Sequence, residues 1–130
     1  MSGYTELRLE EAPDVLGEYP GEMRMLTGPL GCEQVAFTWR RMPAGTGGKG
    51  GYGHRHRTQE EVYFVAEGAL EFKLEDEVRV VPAGTAVRVA PGTVRSVWNE
   101  GPADAVLVMV SPRIEDPVAD VELVEGFWPG

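Results

Sequence analysis

Two histidines, His54 and His56, stand two residues apart, and two glutamates, Glu60 and Glu61, follow within five residues of the second. They are the only histidines among the 130 residues. On a β-strand, residues i and i+2 project from the same face, so both imidazoles would point at one place. Imidazole nitrogen with carboxylate oxygen is a donor set that suits iron, zinc, nickel, copper or manganese. Two imidazoles and one carboxylate would leave coordination positions open for a substrate or for oxygen. The competing reading of the same residues is a polar pocket in which the histidines are hydrogen-bonded side chains and hold no metal.

The elements that must position these groups are short strands. Residues 34–42, QVAFTWRRM, alternate, with Val35, Phe37 and Trp39 on one face and Thr38 and Arg40 on the other. Residues 44–53 are glycine-dense and read as a loop. Within it, Gly45, Gly47 and Gly50 satisfy the spacing of a dinucleotide-binding turn, which needs a helix after it to offer N–H groups to a pyrophosphate. His54-Arg55-His56 and a β-branched run follow instead, so the stretch reads as a flexible turn. Strand patterns then recur at 60–66, 69–74, 78–81, 85–90, 94–99 and 105–111, separated by Gly/Pro or acidic turns. That spacing, with no amphipathic helix, indicates an all-β sandwich or barrel. Residues 1–33 read as an arm with short strands near 5–9 and 22–26 and a Gly28-Pro29 turn. Residues 112–130 read as a tail with a strand at 120–124, packing on the barrel or on a partner subunit.

Composition narrows the function classes. The length suits one domain, and 42% hydrophobic with 25% charged residues is ordinary for a folded globular chain. A formal net charge of −9 argues against a nucleic-acid partner and against an anionic membrane surface, both of which need a basic face. No run approaches eighteen apolar residues, and the first residues lack a basic start followed by an apolar stretch, so neither a membrane span nor a signal peptide is expected. The single cysteine, Cys32, excludes an internal disulfide and fits a reducing cytoplasm, the expected location. Nothing beside it in PLGCEQ would activate the thiol, so it reads as an inert small residue.

Residues 48–68, GKGGYGHRHRTQEEVYFVAEG, resemble the first motif of the cupin superfamily, G-x5-H-x-H-x3-4-E-x6-G, with Gly48, His54, His56, Glu61 and Gly68 at its fixed positions. Glu60 meets the shorter histidine-to-glutamate spacing but leaves seven residues before Gly68, which makes Glu61 the better ligand candidate. The second motif, G-x5-P-x-G-x2-H-x3-N, is similar to residues 84–99, where Gly84, Gly92 and Asn99 match and Ala90 replaces the proline. Arg95 stands where that family places its last metal-binding histidine. The resemblance implies a double-stranded β-helix, a jelly-roll barrel of the RmlC-like kind, over residues 34–111. Metal-binding members hold their ion inside the barrel with three histidines and one glutamate. Here it implies one divalent transition metal (Fe, Zn, Ni or Mn) on His54, His56 and Glu61. Cupin enzymes include dioxygenases, isomerases, epimerases and decarboxylases, and fold alone selects none of them. The implied function is metal-dependent chemistry on a small, carboxylate-bearing organic substrate. The alternative is a non-catalytic small-molecule binding or sensing barrel, free of metal.

Arginine stays protonated and offers no lone pair, so Arg95 cannot be a ligand. At ~5 Å and an effective dielectric of about 20, its charge facing a divalent ion costs roughly 6 to 7 kcal/mol before solvent and Glu61 are counted. Three arrangements are open. Arg95 swings outward; or it sits beside the metal and takes a substrate carboxylate; or it replaces the metal by pairing with Glu61. If Glu61 and Arg95 face inward, alternation brings Tyr63 and Val65, and Val97 and Asn99, with them. Arg95, Tyr63, Tyr52 at the mouth, and Phe37 and Trp39 along the wall are the candidate substrate-binding residues, and Met109 reads as core. Val62, Phe64, Leu70, Phe72 and Leu74 make strands apolar on both faces. A partner subunit is the natural cover, so a homodimer is expected.

Overall fold

The computed structural model describes residues 3–130. Among the described residues the strands expected over 34–111 form, with one strand before them and one after. They are β1 (Glu22–Met25), β2 (Val35–Met42), β3 (Thr46–Gly47), β4 (Gly51–His56), β5 (Glu61–Glu67), β6 (Ala69–Leu74), β7 (Glu77–Pro82), β8 (Thr85–Val89), β9 (Arg95–Asn99), β10 (Ala105–Pro112) and β11 (Val121–Trp128). Two single-turn helices, α1 (Thr27–Leu30) and α2 (Pro117–Asp120), interrupt them. All pairings are antiparallel. One sheet runs β1-β2-β10-β5-β8; the other runs β11-β4-β9-β6-β7, with β3 on β9. Consecutive strands β4 and β5 lie in different sheets, as do β9 and β10, so the chain winds around the core as a jelly roll.

The core lies where the inner faces meet. Met42, Tyr63, Val65, Leu70, Phe72, Val81, Val89, Ala105 and Leu107 are buried there, and the ring of Tyr63 meets that of Phe72 edge-on at 5.4 Å. The alternation in β5 and β6 divides the apolar residues that seemed to cover both faces. Leu70 and Phe72 are core, whereas Val62 and Phe64 are 37% and 40% exposed on the outside.

In β2 the alternation holds but the inward face is the opposite of the one expected. Register pairs Arg40 with Leu107 and Met42 with Ala105, both buried, so the even-numbered residues face the core. Phe37 and Trp39 pair with Val110 and Val108, which in turn pair with Val62 and Phe64, so all six side chains share the outer face. An apolar stripe flanked by the apolar stripes of neighbouring strands in its own sheet carries no mark of which side closes over it.

The terminal segments are built into the sheets. In place of the strand expected near residues 5–9 there is a 3-10 turn at Leu9–Glu11. The arm is tied down further along, where Asp14 bridges to Arg24 and the Arg24 Nη1 donates to the Ala12 carbonyl at 2.8 Å. The tail strand is longer than expected: β11 runs alongside β4, pairing Val121 with His56 and Leu123 with His54. Gly53 makes that approach possible, because a Cβ there would collide with the Phe127 ring. Asn99 of the second motif is structural: its amide donates to the carbonyls of Met42 (2.7 Å) and Ala103 (2.9 Å) and accepts from the Gly101 N–H.

Candidate metal centre and its cavity

Strand β4 places His54 and His56 on its inner side, and β5 places Glu61 opposite them across the 57–60 corner. Their donor atoms all lie within 4.8 Å of one another. The two imidazole rings stand edge-on, 5.2 Å apart. His56 Nε2 is 3.7 Å from Glu61 Oε1, and its Nδ1 is 3.3 Å from Asp120 Oδ2.

Asp120 was not among the residues singled out by sequence. It sits at the end of α2, immediately before β11, and pairing of β11 with β4 carries it to the back of the His56 ring. The corner between β4 and β5 holds it. Its Oδ1 accepts from the Thr58 N–H (2.9 Å) and the Thr58 hydroxyl (2.7 Å), and Oδ2 accepts from the Gln59 N–H (3.1 Å). Burial alone would raise its pKa; hydrogen bonds from Thr58 and Gln59 and the His56 ring outweigh that and hold it below the usual carboxylate range. The Asp120 carboxylate stands at contact distance behind Nδ1, where it would favour a proton on that nitrogen, but among the described residues Nδ1 is buried without a formed hydrogen bond. This carboxylate–histidine backing is the usual support of a metal-binding imidazole. His56 Nε2 and Glu61 Oε1 face each other at 3.7 Å, and the same carboxylate oxygen accepts from Arg95 Nη2 at 3.4 Å.

His54 is prepared as a neutral donor. Burial, then the charge of Arg95, then His56 push its pKa down to about 4. Arg95 lies directly across from it in the β4–β9 register.

Arg95 points inward and is completely buried. Its Nε donates to the Tyr63 hydroxyl (3.2 Å), Nη1 to the Thr93 carbonyl (2.8 Å) and Nη2 to Glu61 Oε1 (3.4 Å). Of the three arrangements open to it, the outward swing is excluded and the pair with Glu61 is formed. The Tyr63 phenol is held protonated, its pKa raised first by burial and then by Glu61.

Beside this cluster lies a cavity of about 520 Å³. His54, Tyr63 and Arg95 form its inner end; Leu16, Tyr19 and Met23 of the arm, with Tyr52, close its mouth; Arg40, Leu107 and Met109 stand on the wall from the other sheet. The Tyr19 hydroxyl accepts from the Gly47 N–H at 2.9 Å, which clips the arm to the loop before β4. Tyr63 and Arg95 therefore lie on the inner face that the alternation gave them, and Tyr52, named for its place just before the histidines, lines the cavity while largely exposed. Phe37 and Trp39 do not line the cavity; Arg40 takes that wall, for the reason given by the register of β2. Met109, expected in the core, reaches the cavity. The arm residues carried no sequence mark at all, and only the folded arm brings them to the mouth.

A two-sheet antiparallel jelly roll with two histidines and a glutamate converging on one interior point defines the class: small β-barrel proteins that bind ligands or metal inside the barrel. The sequence matches the cupin domain family over residues 39–111, more than half of the chain, and the protein belongs to that family. Solved structures with the same fold include a sugar phosphate isomerase of the cupin superfamily from Silicibacter pomeroyi (18% identity, 94% of this chain and 93% of that one, TM-score 0.74). The polyketide cyclase RemF from Streptomyces resistomycificus is similar at 16% identity, over 95% of this chain and 85% of that one, with a TM-score of 0.74. KdgF from Halomonas sp. is similar at 20% identity, over 86% and 96%, with a TM-score of 0.68. No curated protein matches the chain at the sequence level. At these identities the likeness is one of fold.

Proposed function

We propose that this cupin binds a small organic molecule in the cavity beside a three-donor metal site formed by His54, His56 and Glu61. The observation that carries the reading is the convergence of those three donors with Asp120 placed behind His56. A divalent ion such as iron, zinc, nickel or manganese would supply Lewis acidity there, and the cavity would bring a substrate beside it. The protein's own groups orient: Asp120 sets the His56 ring, Arg95 steadies the Glu61 carboxylate and the Tyr63 hydroxyl, and the arm excludes water from the mouth. Chemistry on a small substrate, of dioxygenase or isomerase type, is the activity this arrangement would serve, in a cytoplasmic setting.

The test is metal analysis of tag-free protein after incubation with iron, zinc, nickel and manganese in turn. One equivalent of one of these metals is expected. Asp120→Asn should weaken that binding about 10- to 100-fold. No stoichiometric metal with any of the four would overturn the reading.

A second reading has its own observation. Arg95 already neutralises Glu61, so the pocket can stand as a metal-free binding or sensing site with the guanidinium where the family's last histidine would be. Uptake of metal only by the Arg95→His variant would favour it.

The outer face of the β1-β2-β10-β5-β8 sheet supports a homodimer. Two apolar rows cross it, Phe64–Val108–Trp39 and Val62–Val110–Phe37, and among the described residues no helix covers them. A second copy presenting the same rows about a two-fold axis is the partner that suits them. Light scattering at micromolar concentration should give twice the chain mass, and a Phe64→Glu, Val108→Glu variant half of that; a monomeric wild type would end the proposal.

A further inference from the structure

The cavity contains a second arginine whose situation differs from that of Arg95. Arg40 projects from β2 into the wall, and its Nε is buried with no hydrogen-bond partner among the described residues. Its ionisable neighbours are the phenols of Tyr19, Tyr52 and Tyr63, and no carboxylate is among them. The chain has 21 acidic residues and a net charge of −9, yet among the described residues no aspartate or glutamate lines this cavity. Arg95 has Glu61 behind it; Arg40, which is half-buried, has no carboxylate partner among the described residues. The space they share therefore holds one uncompensated positive charge.

An arginine desolvated without an acceptor lowers stability, since each buried donor left unpaired loses its bonds to water. Burial is the main influence on the group and depresses its pKa, although a guanidinium keeps its proton even so. Such a group persists where something outside the chain completes it, as strain and unmet polarity are concentrated at functional sites.

We infer that Arg40 is the anchor for an anionic group, carboxylate or phosphate, on the molecule that occupies the cavity. The inference rests on the reading of this cavity as a small-molecule site and names what distinguishes its ligand. The planar fork suits either oxyanion. Leu107, Met109, Val97 and Met23 around it suit an apolar body, and a volume of about 520 Å³ holds a molecule of one or two rings. Arg95 has a partner on each guanidinium nitrogen and its charge is answered by Glu61, so Arg40 is the better placed of the two for that role. The ligand's anionic end consequently points at β2, and its other end reaches His54.

Calorimetric titration with three probes of one shape tests this: phenylacetate, phenyl phosphate and the neutral phenylacetamide. Wild-type protein should bind at least one anion about tenfold or more tightly than the amide, and which anion wins separates a carboxylate from a phosphate ligand. Arg40→Met should lose that preference, Arg40→Lys should keep part of it, and the unliganded Arg40→Met protein should melt at or above the wild-type temperature. Equal binding of anion and amide, an unchanged preference in Arg40→Met, no heat from either anion at millimolar concentration, or a lowered melting temperature in Arg40→Met would each overturn the role of Arg40. Metal uptake on His54, His56 and Glu61 is measured separately, and equal binding of all three probes would leave the cavity a binding site while removing its anion anchor.

Discussion

Arg95 and Arg40 enter the same cavity from opposite sheets, and the protein treats them in opposite ways. Around Arg95 the turn before β9 and strand β5 of the facing sheet supply a partner for each guanidinium nitrogen, namely Thr93, Tyr63 and the Glu61 carboxylate. Around Arg40 the wall is apolar or phenolic, and its Nε has no partner among the described residues. A buried charge costs most when it is alone and little when its own chain neutralises it. The first arginine is therefore part of the framework, and the second is open to a ligand.

The difference can be broken from the Arg95 side with the largest effect. Glu61→Gln leaves a fully buried cation without its counter-charge, and metal-free protein should lose roughly 3 to 5 kcal/mol of stability in urea titration. A loss below about 1 kcal/mol would mean that Thr93 and Tyr63 alone hold the guanidinium. The next effect comes from His54, which Arg95 helps to keep neutral. Its folded pKa of about 4 lies below the unfolded value near 6.5, so as pH falls through that window the unfolded chain gains a proton that the folded chain refuses. Stability should fall by up to about 3 kcal/mol between pH 6.5 and pH 4. A His54→Gln variant should lack that part of the slope; identical slopes in the two proteins would show that the histidine is not held neutral. The smallest effect is on the Arg40 side and has the opposite sign. Arg40→Met should gain about 0.5 to 2 kcal/mol in the same titration, because it removes an unmet charge in place of a paired one.

Much of the fold was legible from residue spacing. The turns at Pro82–Gly84 and Pro91-Gly92 and the alternating runs between them located β5 to β10 to within a residue or two. The pairing of Glu61 with Tyr63 and Val65, and of Arg95 with Val97, on inner faces followed from the two-residue period of a strand. The motif spacing alone gathers His54, His56 and Glu61, which the fold brings together. What escaped was long-range. Asp120 is one acidic residue among many in the chain's acidic tail, and its role exists only because β11 pairs with β4. Leu16, Tyr19 and Met23 become a cavity mouth only because the arm folds back over the barrel.

The sequence by itself determined which side chains share a strand face, where the chain turns, and that two imidazoles and a carboxylate would meet. Each of these depends on neighbours within a few residues. Tertiary structure decided which face of β2 is inside, which carboxylate stands behind His56, and which of two arginines is left without a partner. A period of two has no sign: Phe37 and Trp39 were as apolar as any core stripe, and only the sheet that closed over Arg40 and Met42 made the other face the interior.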